Sequence, residues 1–275
     1  MRPDALELLR KRRDIKSNIV RTSRYTWYTF LPFNLFEQFT KKLSNVYFLV
    51  IMFMQMIPMI SISNGQPAMA PPLAFVVVLS MIKDAYEDYK RHKEDKGENT
   101  AKGSVYSRAQ KAFTTVDWKD IRVGDIVRVG EKEFFPSDMV IVKSSEPEGG
   151  FYVETKNLDG ETNLKLKSTP KGMQELCPND DWAQITGCLN IEEPNNRIYK
   201  FDGNFEQPES KSVVPLSNDN VALRGMSLRN TEFVIGLVVY TGHDSKIQKN
   251  SAGAVYKSSN IMRITNRQIL YVFLI

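Results

Sequence analysis

No acidic or basic side chain occurs between residues 43 and 82, although the flanks on both sides are densely charged. An average composition of 42% hydrophobic and 25% charged residues hides this segregation. Within the uncharged window, Val46–Ile62 is apolar apart from Gln55 and Ser61. Ala68–Ile82 is interrupted only by Pro71, Pro72 and Ser80. Each run lies near the lower limit of about 17–25 residues for a membrane-spanning helix. A buried soluble hairpin is one reading of two such short runs. The lack of charge across both runs and their link favours a membrane hairpin, because charge is costly in hydrocarbon. Other absences narrow the function. No secretory signal peptide is evident, since the apolar run starts too late and is followed by a second. The only two cysteines, Cys177 and Cys188, read as reduced cytosolic thiols, and their spacing matches no zinc pattern. A Walker A sequence is lacking, as is any interleaved aromatic-basic repeat that would mark a nucleic-acid partner.

The charge that is present sets an orientation. Basic residues crowd the segment from Arg2 to Lys42 and return from Lys83 to Lys96, whereas the link Ser61–Ala70 has none. The positive-inside rule puts both ends in the cytosol and the link outside. The formal net charge of +5 sits largely in the N-terminal segment and reads as membrane-proximal charge. The expected organisation begins with a cytosolic N-terminal segment over residues 1–42, with a short basic helix over 4–13 capped by Asp4. Residues 43–96 form the hairpin, with spans at about 44–62 and 68–86. Pro58 should kink the first span. The second continues without Gly or Pro through Lys83–His92 as a cytosolic stalk, supported by a Glu87–Arg91 pair. His92, among solvated charges, reads as a surface residue.

Gly97 and Gly103 mark the entry to a soluble domain over residues 97–250. Val123–Val129, Met139–Val142 and Val234–Tyr240 are β-branched runs separated by turn chemistry at Gly130 and Pro136-Ser137-Asp138. Many short strands with Gly and Pro between them predict an antiparallel sandwich or distorted jelly roll. Residues 168–212, rich in Pro, Asn, Asp and Glu, read as an insertion decorating that core. His243 reads as a loop residue. Residues 251–275 form a linker and, from Gln268, what looks like the start of a third span. Eight residues cannot cross a bilayer, so the chain is expected to be the N-terminal part of a longer protein.

The chemistry concentrates in one stretch, Phe151–Lys167. A short apolar run enters a loop tipped by Asp159-Gly160-Glu161-Thr162, and an alternating run leaves it. Asp-Gly between two such segments is a hairpin signal, and a plain turn is one reading. The other is functional. Gly160 is free to take positive φ, and Glu161 and Thr162 then place a carboxylate and a hydroxyl at the exposed end. A carboxylate held this way can orient a water or take its proton during hydrolysis.

The run resembles the actuator-domain loop of the type IV P-type ATPases, the phospholipid flippases, with Asp159 in the flippase form where other P-type ATPases have Thr. Asn18–Tyr25 with Thr29–Phe39 is similar to the flippase segment leading into the first span. Trp118-Lys119-Asp120-Ile121, Phe135-Pro136-Ser137-Asp138, Leu223-Arg224-Gly225, Leu228-Arg229-Asn230-Thr231 and Tyr240-Thr241-Gly242 all resemble the flippase actuator domain. The resemblance covers essentially the whole chain. It implies a membrane α-helical hairpin joined to a mainly-β actuator domain, in a multi-pass enzyme of an endomembrane or the plasma membrane. It further implies an enzyme that uses ATP and Mg2+, phosphorylates itself on an aspartate and moves phospholipid toward the cytosolic leaflet. Glu161 would position the attacking water, with Asp159, Gly160 and Thr162 shaping the loop and its docking surface. A polar pair before the proline of the first span is implicated in headgroup selection. Here the lipid path would be Gln55, Met56 and Pro58, of which only Gln55 is polar. A helix–helix hydrogen bond is the other reading of Gln55. A two-span glycosylated accessory subunit is implied as partner. The phosphorylated Asp-Lys-Thr-Gly-Thr motif does not occur in the sequence, so this polypeptide alone is expected neither to hydrolyse ATP nor to move lipid. Two alternatives stand beside this one. One is a non-enzymatic, membrane-anchored actuator-like protein that docks on a partner ATPase. The other is a cation-transporting P-type ATPase, which the absence of acidic residues in both spans argues against.

Overall fold

The structure, a computed structural model, describes residues 17–59, 61, 64–174, 182, 187–207, 213–252 and 260–274. The expected helix over residues 4–13 and Cys177 lie outside them. The chain divides into two compact units. One comprises Gly97–Ala254 with the residues up to Val20; the other comprises Arg21–Lys96 and Val255–Ile275.

The first unit is mainly β. Its strands are β1 (Lys102–Ser107), β2 (Ala112–Asp117), β3 (Ile126–Gly130), β4 (Asp138–Ser144), β5 (Gly150–Glu154) and β6 (Leu164–Ser168). They continue as β7 (Cys188–Ile191), β8 (Gly203–Glu206), β9 (Val213–Leu216), β10 (Val221–Ala222), β11 (Ser227–Arg229) and β12 (Phe233–Tyr240). Among the described residues they form a six-stranded sheet in the order β10-β4-β12-β3-β1-β2 and two three-stranded sheets, β11-β5-β6 and β7-β8-β9. All these neighbours run antiparallel. The three β-branched runs of the sequence become β3, β4 and β12, and the last two lie side by side near the middle of the large sheet. Gly236 makes room there for two large side chains. A Cβ at that position would meet Met139 Sδ at 2.8 Å and Ile141 Cδ1 at 3.0 Å, next to a register shift between β12 and β4.

The core gathers Val127, Val140, Ile141, Phe151, Val153, Val221, Leu228 and Val234, all fully buried. Residues 168–212 do more than decorate it. They build the sheet β7-β8-β9 with Val213–Leu216, and Trp182, Phe201 and Phe205 are buried in the same core. The polar composition of that stretch conceals a few large aromatics, and these pull it onto the domain.

An extended arm, Ser17–Val20, belongs to this unit. Asn18 is fully buried, and its amide donates to the carbonyls of Trp118 (2.7 Å) and Pro136 (3.1 Å). Its Oδ1 accepts from Arg224 Nη1 at 2.6 Å and from the Gly242 N–H at 2.9 Å. Asn99 and Val20 exchange two further bonds, at 2.9 and 2.8 Å. Asp138 accepts the N–H groups of Arg224 (2.8 Å) and Lys246 (2.7 Å). Burial pushes its carboxyl up to about 6 despite those two amides. Segments far apart in the sequence thus meet in one buried polar cluster.

The second unit contains α1 (Phe30–Lys41), α2 (Leu43–Gln55), most of α3 (Ala70–Asn99), which runs through Gly97, and the helix Asn260–Leu274. The helical part of the expected first span is shorter than 44–62. α2 stops at Gln55, and Met56–Met59 form turns around Pro58. Gln55 Oε1 accepts the Met69 N–H at 3.0 Å, just before α3 begins. α3 starts at Ala70 and continues to Asn99, but its apolar part ends at Ile82. Among the described residues no helix is long and apolar enough to cross a membrane. Among the described residues, Glu87 on α3 pairs with Lys83 (3.5 Å) in place of the anticipated Arg91, and Lys90 pairs with Glu94 (3.9 Å). His92 is half exposed and contacts Asp88. Asp95 accepts the N–H groups of Thr22 and Ser23, each at 3.0 Å, and Asp88 accepts that of Arg24 at 2.8 Å. These bonds tie the segment before α1 to α3 by side chains where no sheet partner exists.

Candidate functional site

The loop over residues 155–163 is placed by the register of β5. Phe151 and Val153 point into the core, and β5 pairs with β6 from Gly150↔Ser168 to Glu154↔Leu164. On its other edge β5 pairs with β11 through Leu228↔Val153. The loop therefore springs from the end of a three-stranded sheet anchored by buried side chains. It is no tight two-residue turn. Lys156–Asp159 form a single helical turn, α4, which ends on Gly160 at φ +78° and ψ 0°. The Asp-Gly pair thus works as a helix stop, with glycine in the left-handed region after the last turn. A Cβ at Gly160 would meet nothing within 4 Å, so conformation, not crowding, calls for glycine.

Asp159 is the internal keystone of the loop. Thr155 Oγ1 donates to its two oxygens at 2.9 and 3.1 Å, and the Glu161 N–H donates to Oδ1 at 3.0 Å. Lys165 Nζ reaches Oδ2 at 2.6 Å. Desolvation raises the carboxyl's pKa, but Lys165, the Glu161 amide and Thr155 outweigh it and hold Asp159 down to about 2. The same two carboxylates, Asp159 and Glu161, lift Lys165 to about 12. Glu161 Oε2 lies 2.9 Å from Lys165 Nζ while the Glu161 side chain remains 57% exposed. Thr162 is exposed beside it.

Beside the loop, Glu154 Oε2 accepts from Arg229 Nε (2.9 Å), Arg229 Nη2 (2.7 Å) and Ser227 Oγ (3.3 Å). The guanidinium holds Glu154 below the usual carboxylate range. These three residues, with Phe134, Lys156 and Asn157, line a cavity of about 180 Å³ at the base of the loop.

The structure brings Asp159, Gly160, Glu161 and Thr162 together in one loop, with the last three exposed and the Asp159 side chain turned inward. Gln55, Met56 and Pro58 lie in the other unit, where Gln55 bonds backbone and Met56 and Pro58 sit in an exposed turn. Three partners of the loop carry no distinguishing signal in the sequence: Thr155, Lys165 and Tyr199. Lys165 stands four residues after Glu161, a spacing that reads as strand alternation. Tyr199 arrives from the inserted stretch, with its hydroxyl 3.5 Å from Asp159 Oδ2 and its ring centroid 5.7 Å from Lys165 Nζ. Among the described residues no cluster of three or more His, Cys, Asp and Glu side chains is placed to hold a metal. Both oxygens of Asp159 are taken by protein donors, so the loop does not fit a magnesium site.

Comparison with known proteins gives the family. The family model described as P-type ATPase actuator domain matches residues 99–254, and that described as phospholipid-translocating ATPase N-terminal matches residues 6–69. The chain is 39% identical over 255 residues to human phospholipid-transporting ATPase VD, covering 93% of the chain and 18% of the relative. To phospholipid-transporting ATPase C887.12 of Schizosaccharomyces pombe it is 42% identical over 258 residues, 94% of the chain and 20% of the relative. Human phospholipid-transporting ATPase ID is 39% identical over 257 residues, 94% of the chain and 21% of the relative. The chain spans about a fifth of the length of these curated relatives. With the actuator model covering more than half of its residues and the N-terminal model matching residues 6–69 before it, the chain belongs to the type IV P-type ATPases.

Proposed function

We propose that the chain is the N-terminal part of an ATP-driven phospholipid translocase that moves lipid toward the cytosolic leaflet, and that its loop serves hydrolysis of an aspartyl phosphate. The observation that carries this is the tip at Asp159–Thr162, where Asp159 is consumed in holding the loop while Glu161 stays exposed on a fixed backbone. The relatives' names supply the lipid substrate. In the proposed step a water oxygen bonds to phosphorus while the bond from phosphorus to the aspartyl oxygen breaks. The aspartate carboxylate leaves with the electron pair, and Glu161 orients the water and takes its proton. The phosphoryl-accepting aspartate, ATP and magnesium belong to sequence other than this chain.

The apolar half of α3 and most of α2 would form the membrane hairpin. Phe53, Phe75, Val78, Leu79 and Ile82 are exposed on these helices, which suits a lipid or helix environment and not water. The hairpin would orient both ends to the cytosol, with Gln55, Met56 and Pro58 on the lipid path and a two-span glycosylated subunit as partner. Gln55 then acts through the bend it stabilises between α2 and α3.

The test is Glu161→Gln in the complete ATPase. The expected result is phosphorylation at the normal rate from ATP with accumulation of phosphoenzyme, read by acid-stable labelling. Dephosphorylation at the unaltered rate would overturn the assignment.

A further inference from the structure

Lys165 has no role in the chemistry assigned so far, yet it makes the tightest ionic contacts of the loop. Its backbone is set by β6, opposite Val153 of β5. Its side chain turns back over the loop and is one-third exposed. Nζ lies 2.6 Å from Asp159 Oδ2 and 2.9 Å from Glu161 Oε2, and Tyr199 presents its ring at 5.7 Å. An ammonium with three donors can serve both carboxylates at once.

Asp159 also accepts the Glu161 amide, so Lys165 and Asp159 hold Glu161 at two points, backbone and carboxylate. An exposed glutamate otherwise samples several rotamers. The closest contact engages Oε2 and leaves Oε1 to take up a water. The phosphoryl group that the loop is proposed to meet is anionic, and a neighbouring ammonium offsets repulsion of the glutamate.

We infer that Lys165 is a positioning residue for Glu161, fixing the orientation of its carboxylate and offsetting its charge as the loop meets the phosphoenzyme. This rests on the reading of Glu161 as the water-orienting residue. Tyr199 covers the third side of the ammonium, so the inserted stretch takes part in the same arrangement.

The experiment compares Glu161→Gln, Lys165→Met and Lys165→Arg in the complete ATPase, measuring phosphoenzyme formation and decay separately. Lys165→Met is expected to form phosphoenzyme normally and to lose it about a hundredfold more slowly, the scale of a misplaced catalytic group. Lys165→Arg, which keeps a cation able to bridge two carboxylates, should recover most of the decay rate. If Glu161→Gln accumulates phosphoenzyme but Lys165→Met decays at the unaltered rate, Lys165 has no positioning role and the reading of Glu161 stands. Formation and decay falling together in Lys165→Met would mean a purely structural lysine and overturn the inference. Normal decay in Glu161→Gln would remove the parent reading and this inference with it.

Discussion

Asp159 shows how a single side chain can organise a loop from within. Its oxygens are used by Thr155, the Glu161 amide and Lys165, so its work is to hold the loop. A pKa held down to about 2 fixes the sign of its pH dependence. A depressed carboxyl contributes stability that is present above its unfolded value of about 3.9 and lost as pH falls. Lys165, raised to about 12, contributes stability below its unfolded value of about 10.4, lost as pH rises. The pair should therefore contribute its full stabilisation from about pH 4 to about pH 10 and lose it only as pH moves toward about 2 or about 12. Amide hydrogen exchange at Glu161 reads this directly. Asp159→Asn retains an acceptor for that N–H and should keep much of its protection, whereas Asp159→Ala should lose about tenfold or more, the scale of one charge-assisted bond. Equal protection in Asp159→Ala and the unaltered chain would show that the carboxylate does not hold the loop.

The inserted stretch becomes an element through one buried lysine. Lys246, fully buried, donates to Glu192 Oε1 (2.7 Å), Asn195 Oδ1 (2.9 Å) and the Lys200 carbonyl (2.8 Å). Tyr240 also donates to the Glu192 carbonyl at 2.7 Å. These bonds clasp residues 192–200 at both ends and carry Tyr199 to the loop. Lys246→Met leaves a partly buried carboxylate and a carbonyl without their cation. The expected loss is about 3 kcal/mol in the stability of this unit, read by urea unfolding. A change below about 1 kcal/mol would mean that water replaces the ammonium. The sequence was legible where periodicity was strong: β-branched runs announced β3, β4 and β12, and the Asp-Gly-Glu-Thr run announced the loop. The clasp was not legible, because its partners are 46 to 54 residues apart and none carries a local pattern. The same holds for Asn18, whose partners lie 100 or more residues away along the chain.

At the scale of the whole molecule the distribution of charge predicts which side of a membrane each segment faces. The link between α2 and α3 carries no basic residue, while Arg24, Lys41 and Lys42 precede the apolar stretch and Lys83, Lys90 and Arg91 follow it. If charge decides orientation, the link is exoplasmic and the β-rich unit cytosolic. The helices themselves make the test worthwhile, since α2 ends at Gln55 and the apolar part of α3 ends at Ile82, and at a rise of about 1.5 Å per residue each reaches only about 20 Å of a core about 30 Å thick. A bend around Pro58 and residues beyond the helix ends would have to complete the crossing. With Cys177 and Cys188 replaced by Ser, Q66C in the link and Q110C between β1 and β2 report the two sides. In sealed membranes with the exoplasmic face outward, a membrane-impermeant maleimide should modify Q66C at once and Q110C only after permeabilisation. Labelling of both before permeabilisation would mean that the apolar hairpin lies on one face without crossing. Labelling of Q110C alone would invert the topology and remove the charge argument for it.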